Sequence, residues 1–181
     1  MTVTLGTLEL GPADLSLLAP PVADALRALP GVAEHAHTVA IDPALADTAS
    51  LAAEHDIPPE VSANCVVVLG KRSGEQRAAA CVVLANSRAD VNGLVRRTID
   101  VRKISFAPQD WAVSETGMEY GGITPVGVPA GWPILVDSAV IEQPWVLLGS
   151  GMRRSKLALP GASLADLSGA LVLEGLGLPA T

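Results

Sequence analysis

Two apolar runs separated by a polar turn constrain this chain more than any other feature. Asn64–Leu69 contains three consecutive valines, and β-branched side chains favour pleated, half-buried backbone. Gln76–Ala85 is a second apolar run, and Gly70–Gly74 between them is a turn of Gly, Lys, Arg and Ser. This pattern predicts an antiparallel hairpin. Around it lie 181 residues, of which 49% are hydrophobic and five are aromatic. A chain of this size buries about 70% of its unfolded surface without metals or disulfides. Intrinsic disorder is excluded by the apolar content, and with so few aromatics the core must be aliphatic. A broad stacking platform for single-stranded nucleic acid is excluded on the same ground.

The remaining pattern predicts short elements. Asp14–Leu18 and Val22–Leu29 read as helical stretches stopped by Pro20-Pro21 and Pro30-Gly31, because proline cannot continue a helix interior. Ala33–Ala40 reads as a strand. Asp42-Pro43 reads as an N-cap followed by proline at the first helical position, opening a helix to about His55. Asp90–Ile99 and Pro108–Thr116 read as helices, and Gly117–Pro133 as a Gly/Pro-rich loop holding a short strand. Ile134–Val136, Trp145–Leu148 and Leu157–Leu159 are β-like. Leucines at 164, 167 and 171 predict a closing helix over Ser163–Glu174. Strands and helices do not alternate in βαβ fashion, so the expected class is α+β. A single domain over 1–181 is expected, with residues 1–40 as an N-terminal extension.

No apolar run approaches the roughly 18 residues of a membrane span, and the N-terminus lacks the early positive charge and apolar stretch of a secretory signal. Cys65 and Cys81 lie in apolar runs, where reduced, buried thiols are expected. These features predict a cytoplasmic protein. The formal net charge is −7, which by itself disfavours a phosphate-backbone partner. Its distribution is uneven, however. Residues 1–70 hold Arg27 against nine acidic residues, whereas residues 71–156 hold eleven basic against eight acidic ones. The basic residues come in pairs: Lys71-Arg72, Arg96-Arg97, Arg102-Lys103 and Arg153-Arg154, with Lys156 nearby. Either they converge as a basic patch on an acidic body, or they are scattered, solvated charges.

The P-loop, the G-x-S-x-G elbow and the C-x-x-C pair are all missing. His35 and His37 have no evident third ligand and read as packing or surface residues, so no metal and no cofactor are expected. The informative stretch is Gly121-Gly122-Ile123-Thr124-Pro125-Val126-Gly127. Its glycines let backbone approach a ligand closely, and its N–H and C=O groups can hold a polar substrate end or an oxyanion. Asp137 follows the apolar run Ile134–Val136, and Gly149-Ser150-Gly151-Met152-Arg153 is a second Gly-rich turn ending in arginine. Asp137 is either a site acid or a cap, and Arg153 either a site cation or a solvated one.

The order of these motifs resembles the YbaK family, also called the prolyl-tRNA-synthetase-associated domain, from about Thr48 to Leu173. Gly121 and Pro125 match its G-x-x-x-P loop. The resemblance implies a mixed, barrel-like sheet surrounded by helices and an aminoacyl-tRNA partner. A pocket would take the 3′-terminal aminoacyl-adenosine and hydrolyse its ester, clearing mischarged tRNA. Gly121, Gly122, Thr124 and Pro125, with Ser150, Gly151 and Arg153, would bind the substrate. Asn64 and Asp137 would act in catalysis. Lys71, Arg72, Arg96, Arg97, Arg102, Lys103, Arg154 and Lys156 would track the tRNA backbone. In family deacylases a lysine occupies the place of Asn64, and a serine the place of Gly149. A neutral amide donates weaker hydrogen bonds than an ammonium. Two readings follow: a trans-acting deacylase, or a protein that binds an aminoacyl ligand without turnover. A third reading makes the likeness purely architectural.

Overall fold

The computed structural model describes residues 1–180. The chain opens with a hairpin, β1 (Val3–Leu5) and β2 (Leu8–Pro12), not with a helix. Alternation does the work here: Val3, Leu5, Leu8 and Leu10 point inward while Thr4 and Glu9 face solvent. Helix α1 (Pro20–Ala28) begins at the proline pair, which occupies the first turn, where the missing N–H costs nothing. A short helix α2 (Pro30–Ala33) takes the start of the strand expected over 33–40, leaving β3 as His37–Ala40.

The helix expected from Asp42 to His55 is split. Asp42 caps only the turn Pro43–Leu45, accepting the Ala44 N–H at 2.9 Å. Asp47 then caps α3 (Thr48–His55) by accepting the Ser50 N–H at 3.0 Å. The carbonyl of Ala46, between the two segments, is thereby left for another donor.

The predicted hairpin is present as β4 (Ala63–Arg72) and β5 (Glu75–Leu84), paired antiparallel along their whole length. After β6 (Ser87–Ala89), Asp90 accepts the N–H groups of Gly93 and Leu94 and caps a π-helical turn, Val91–Val95, that runs into α4 (Arg96–Thr98). Then come β7 (Lys103–Phe106) and α5 (Gln109–Thr116), a loop without the expected strand, β8 (Ile134–Asp137), α6 (Ser138–Ile141), β9 (Val146–Gly149) and β10 (Ser155–Leu159). No closing helix forms over 163–174. Gly161–Asp166 is a 3-10 segment, and β11 (Ala170–Leu173) pairs in parallel with β8. Gly169 breaks the helical spacing at φ +83°, where an added Cβ would lie 2.9 Å from the Trp132 carbonyl. The last strand, β12 (Gly177–Pro179), pairs with β6.

Two five-stranded sheets result, in the orders β1-β2-β3-β10-β9 and β11-β8-β5-β4-β7. A parallel bridge between Ser62 and Leu147 links them where β4 begins beside β9, and the surface curls into a half barrel. The class is therefore α+β with a mixed sheet, as expected. One core cluster packs α1 against the inner sheet faces through Val22, Leu26, Leu148 and Leu157. A second lies under α4 and the hairpin's other face. A third joins the opening hairpin to α3 through Leu10, Leu51 and Leu147.

Candidate functional site

A cavity of about 860 Å³ opens at the junction of the two sheets, within the size range of small-molecule sites. The N-terminal end of α3 forms one wall, with Asp47 and Thr48, and the start of β4 forms another, with Asn64 and Cys65. The exposed rim carries Phe106, Gln109, Tyr120, Gly121 and Arg153. The chain has one phenylalanine and one tyrosine, and both stand at this mouth, 64% and 56% exposed.

The two Gly-rich loops read from the sequence do meet. The Gly151 N–H donates to the Gly122 carbonyl at 2.7 Å, and the Glu119 N–H to the Gly151 carbonyl at 2.9 Å. Such close approach depends on missing side chains. A Cβ on Gly149 would lie 2.4 Å from the Gly122 oxygen, and one on Gly122 would lie 2.8 Å from the Met152 backbone. Gly121 sits at φ +83°, with Arg153 Nη1 only 2.7 Å from where its Cβ would be. Arg153 donates to the carbonyls of Tyr120 (3.3 Å) and Pro43 (3.1 Å), so its guanidinium spans the mouth from one wall to the other.

Among the other expected site residues, Asn64 lines the cavity. Its side-chain oxygen accepts the Thr48 hydroxyl at 2.8 Å, which leaves the amide nitrogen as its free donor. Gly122, Thr124, Pro125, Ser150 and Gly151 are buried and lie outside the cavity lining, so the structure does not bring them to its surface. Ser150 is tied to the Ser155 hydroxyl at 2.8 Å. Asp137 is not brought to the cavity with Asn64. It ends β8 buried, and its carboxylate accepts the Gly177 N–H at 3.0 Å, holding the C-terminal strand. The acid after an apolar strand thus serves the chain's own backbone.

The basic residues divide. Lys71 stands opposite Lys103 in the β4–β7 register, Arg72, Arg96, Arg97 and Arg102 are exposed on the neighbouring segments, and Arg72 pairs with Asp100. This exposed group lies along the edge of the sheet whose nearer end carries Phe106. Arg154 is elsewhere, donating to the Ser16 carbonyl. Lys156 is no surface residue: it is 6% exposed and lines the cavity. Its strand, β10, is buried along its length, so the lysine expected to track the tRNA backbone is instead an interior one. Its Nζ donates to the Ala46 carbonyl at 2.9 Å. Burial pushes the ammonium below its ordinary pKa, Asp47 pulls it back up, and Arg153 lowers it.

Asp47 itself is held below the usual carboxylate range by the Ser50 N–H. Cys65 lies in the cavity wall, but burial raises its thiol, which disfavours the nucleophilic thiolate. Cys81 lies on the neighbouring strand and faces the other side of the sheet, packed with a different core cluster, with its pKa pushed up to about 12. His37 is buried edge-on to Trp145, its ring nitrogens 3.0 Å and 3.1 Å from the carbonyls of His35 and Met1. His35 is exposed beside Glu34.

Asp47, Thr48, Phe106 and Tyr120 were not singled out by the sequence. For Asp47-Thr48 the available signal was an Asx-type cap, which reads as structure. Tyr120 adjoins Gly121, and that adjacency alone could have flagged it.

Residues 42–167 match the sequence model of the aminoacyl-tRNA editing domain. Three solved structures share the fold. A candidate trans-editing enzyme for prolyl-tRNA synthetase is 22% identical with a TM-score of 0.70, over 87% of this chain and 97% of that one. A hypothetical protein is 19% identical with a TM-score of 0.75, over 87% and 99% of the two chains. A scaffold from computational epitope grafting is 22% identical with a TM-score of 0.71, over 86% and 95%.

Proposed function

This chain belongs to the aminoacyl-tRNA editing domain family, and we propose that it is a trans-acting deacylase of mischarged tRNA. The observation that carries the reading is the cavity itself, because its lining residues, Ala46 to Lys156, all fall inside the 42–167 match. In this reading the 3′-terminal aminoacyl-adenosine enters past Phe106 and Tyr120, either of which offers a face to the base. Gly121 and Ile123, the two residues of that loop in the cavity lining, hold the substrate's end by their backbone. Asn64 donates from its amide nitrogen, and Arg153 closes the mouth.

A water oxygen adds to the ester carbonyl carbon, and the bond to the ribose oxygen breaks. The ribose oxygen takes a proton and the amino acid leaves as its carboxylate. No side-chain nucleophile is invoked, in keeping with the protonated state favoured at Cys65. Lys71, Arg72, Arg96, Arg97, Arg102 and Lys103 would follow the acceptor-stem phosphates, and the reaction would take place in the cytoplasm. No helix among the described residues is long and apolar enough to cross a membrane.

The test is deacylation of a charged-tRNA panel, including tRNA for proline carrying alanine, cysteine or serine, with correctly charged controls. Release of one mischarged species faster than in buffer is the expected result. If none is released, hydrolysis is contradicted. The second reading, binding without turnover, is favoured by the neutral Asn64 where family deacylases carry lysine. It would be supported by tight binding of an amide-linked aminoacyl-adenosine analogue without release from the ester.

A further inference from the structure

Lys156 is a buried ammonium that forms no ion pair among the described residues. Lysines are almost never fully buried unless paired, because taking the charge out of water is costly. The ion pairs among the described residues involve Arg27, His35, Arg72 and Arg77, not Lys156. Its one partner is the carbonyl of Ala46, and an ammonium has three N–H donors. A charge housed this way stabilises the fold poorly, yet it lines the cavity at the junction of the two sheets.

Its position relative to Asn64 follows from strand register. The bridge between Ser62 and Leu147 is parallel and isolated, and two residues beyond it on each strand Asn64 and Gly149 both line the cavity. Gly149 is in turn the register partner of Lys156. Asn64, Gly149 and Lys156 therefore follow one another along the cavity wall as a row across β4, β9 and β10. Between them the glycine contributes no side chain. The carbonyls of Gly122 and Ile123 lie over it, where its Cβ would be.

We propose that Lys156 supplies the site's cation from β10, in the row that Asn64 begins, and that its free N–H groups donate to the ester carbonyl oxygen of the bound aminoacyl end as negative charge develops there. This rests on the deacylase reading of the cavity and names the group that would stabilise its transition state. The charge lost at position 64 is then carried by the opposite end of the same row. Asn64 and Lys156 act as the two donors, and the overlying Ile123 carbonyl accepts from the substrate's amino group. The lowered pKa is consistent with an ammonium already stripped of water.

The experiment compares wild type, Lys156→Met, Lys156→Arg and the double variant Asn64→Lys/Lys156→Met. Two readouts are used: single-turnover release from the mischarged panel, and binding of an amide-linked 3′-aminoacyl-adenosine analogue. Loss of one donor to a developing oxyanion is worth about 100-fold in rate or more, so Lys156→Met should lose about that much. The double variant should regain at least about 10-fold over Lys156→Met, because charge returns at the other end of the row. Lys156→Arg keeps the charge and should fall between wild type and Lys156→Met. If Lys156→Met does not fold, as read by its melting transition, Lys156→Arg and Asn64→Lys carry the comparison.

The failures are distinguishable. A wild type that releases amino acid, with Lys156→Met equally fast, overturns the role of Lys156 and leaves the deacylase reading standing. A wild type that binds the analogue without turnover, with binding weakened in Lys156→Met, overturns hydrolysis and supports Lys156 as the ligand's cation. A wild type that neither binds nor releases overturns both.

Discussion

The tip of the β4–β5 hairpin and the cavity at its root house their cations in opposite ways. At the tip Arg72 and Arg77 share Asp100, with Arg72 and Asp100 exposed and Arg77 half-buried. Such exposed pairs contribute about 0–1 kcal/mol each, because water already solvates both partners. At the root Lys156 is buried against a carbonyl, and among the described residues no carboxylate forms an ion pair with it. The tip is charge left in contact with solvent. The root is charge withheld from solvent, and stability does not account for it.

The comparison is broken most severely by neutralising the root. Lys156→Met is expected to lower deacylation about 100-fold, some 2.7 kcal/mol of transition-state stabilisation at about 1.36 kcal/mol per tenfold, measured by single-turnover release. The same substitution gives a pH signature. Burial holds the folded-state pKa of Lys156 below its ordinary 10.5, so the unfolded chain binds more protons between the lowered value and 10.5. Stability contributed by this group therefore rises with pH across that window. Activity requiring the ammonium falls across the same window. Buffer-corrected rates should show an alkaline limb that Lys156→Met lacks, while any advantage of Lys156→Met in melting temperature shrinks as pH rises.

Filling the gap in the row comes next. Gly149→Ala would push a methyl against the Gly122 and Ile123 carbonyls, which are backbone and cannot swing aside. Overpacking of this kind costs roughly 1–3 kcal/mol, so a lower melting temperature and a displaced 121–123 loop are expected, with turnover falling together with analogue affinity. Charge reversal at the tip should do something different. Lys71→Glu with Lys103→Glu is expected to weaken whole tRNA binding and flatten its salt dependence, the slope falling by roughly 0.7–0.9 for each phosphate no longer neutralised. Binding of the short aminoacyl-adenosine analogue should be unchanged. The smallest effect belongs to Arg72→Ala, whose exposed pair with Asp100 should cost less than about 1 kcal/mol in denaturant unfolding.

The same division explains what could be read from the sequence. The hairpin was legible because three valines and a polar turn are local signals, and both strands appear with their predicted pairing. The two Gly-rich loops were legible as candidate site elements because glycine at close approach leaves its mark in the sequence itself, but their contact with each other was not. Lys156 was not. A strand buried on both faces has no alternation to mark which side chain enters a cavity, and Ser155-Lys156-Leu157 reads as a turn end followed by a surface charge. The row from Asn64 through Gly149 to Lys156 depends on register between strands far apart in the chain. Asp137 misled in the other direction, because a backbone N–H of the last strand, supplied 40 residues later, takes its carboxylate. The closing helix failed at Gly169, whose backbone conformation outweighed three leucines at helical spacing.

The most direct measurement is single-turnover release of amino acid from mischarged tRNA by wild type, Lys156→Met and Asn64→Lys/Lys156→Met side by side. Rapid release by wild type, about a hundredfold loss in Lys156→Met and partial recovery in the double variant are predicted. Equal rates for wild type and Lys156→Met, above the rate in buffer, would contradict the claim that the buried lysine is the cation of the site.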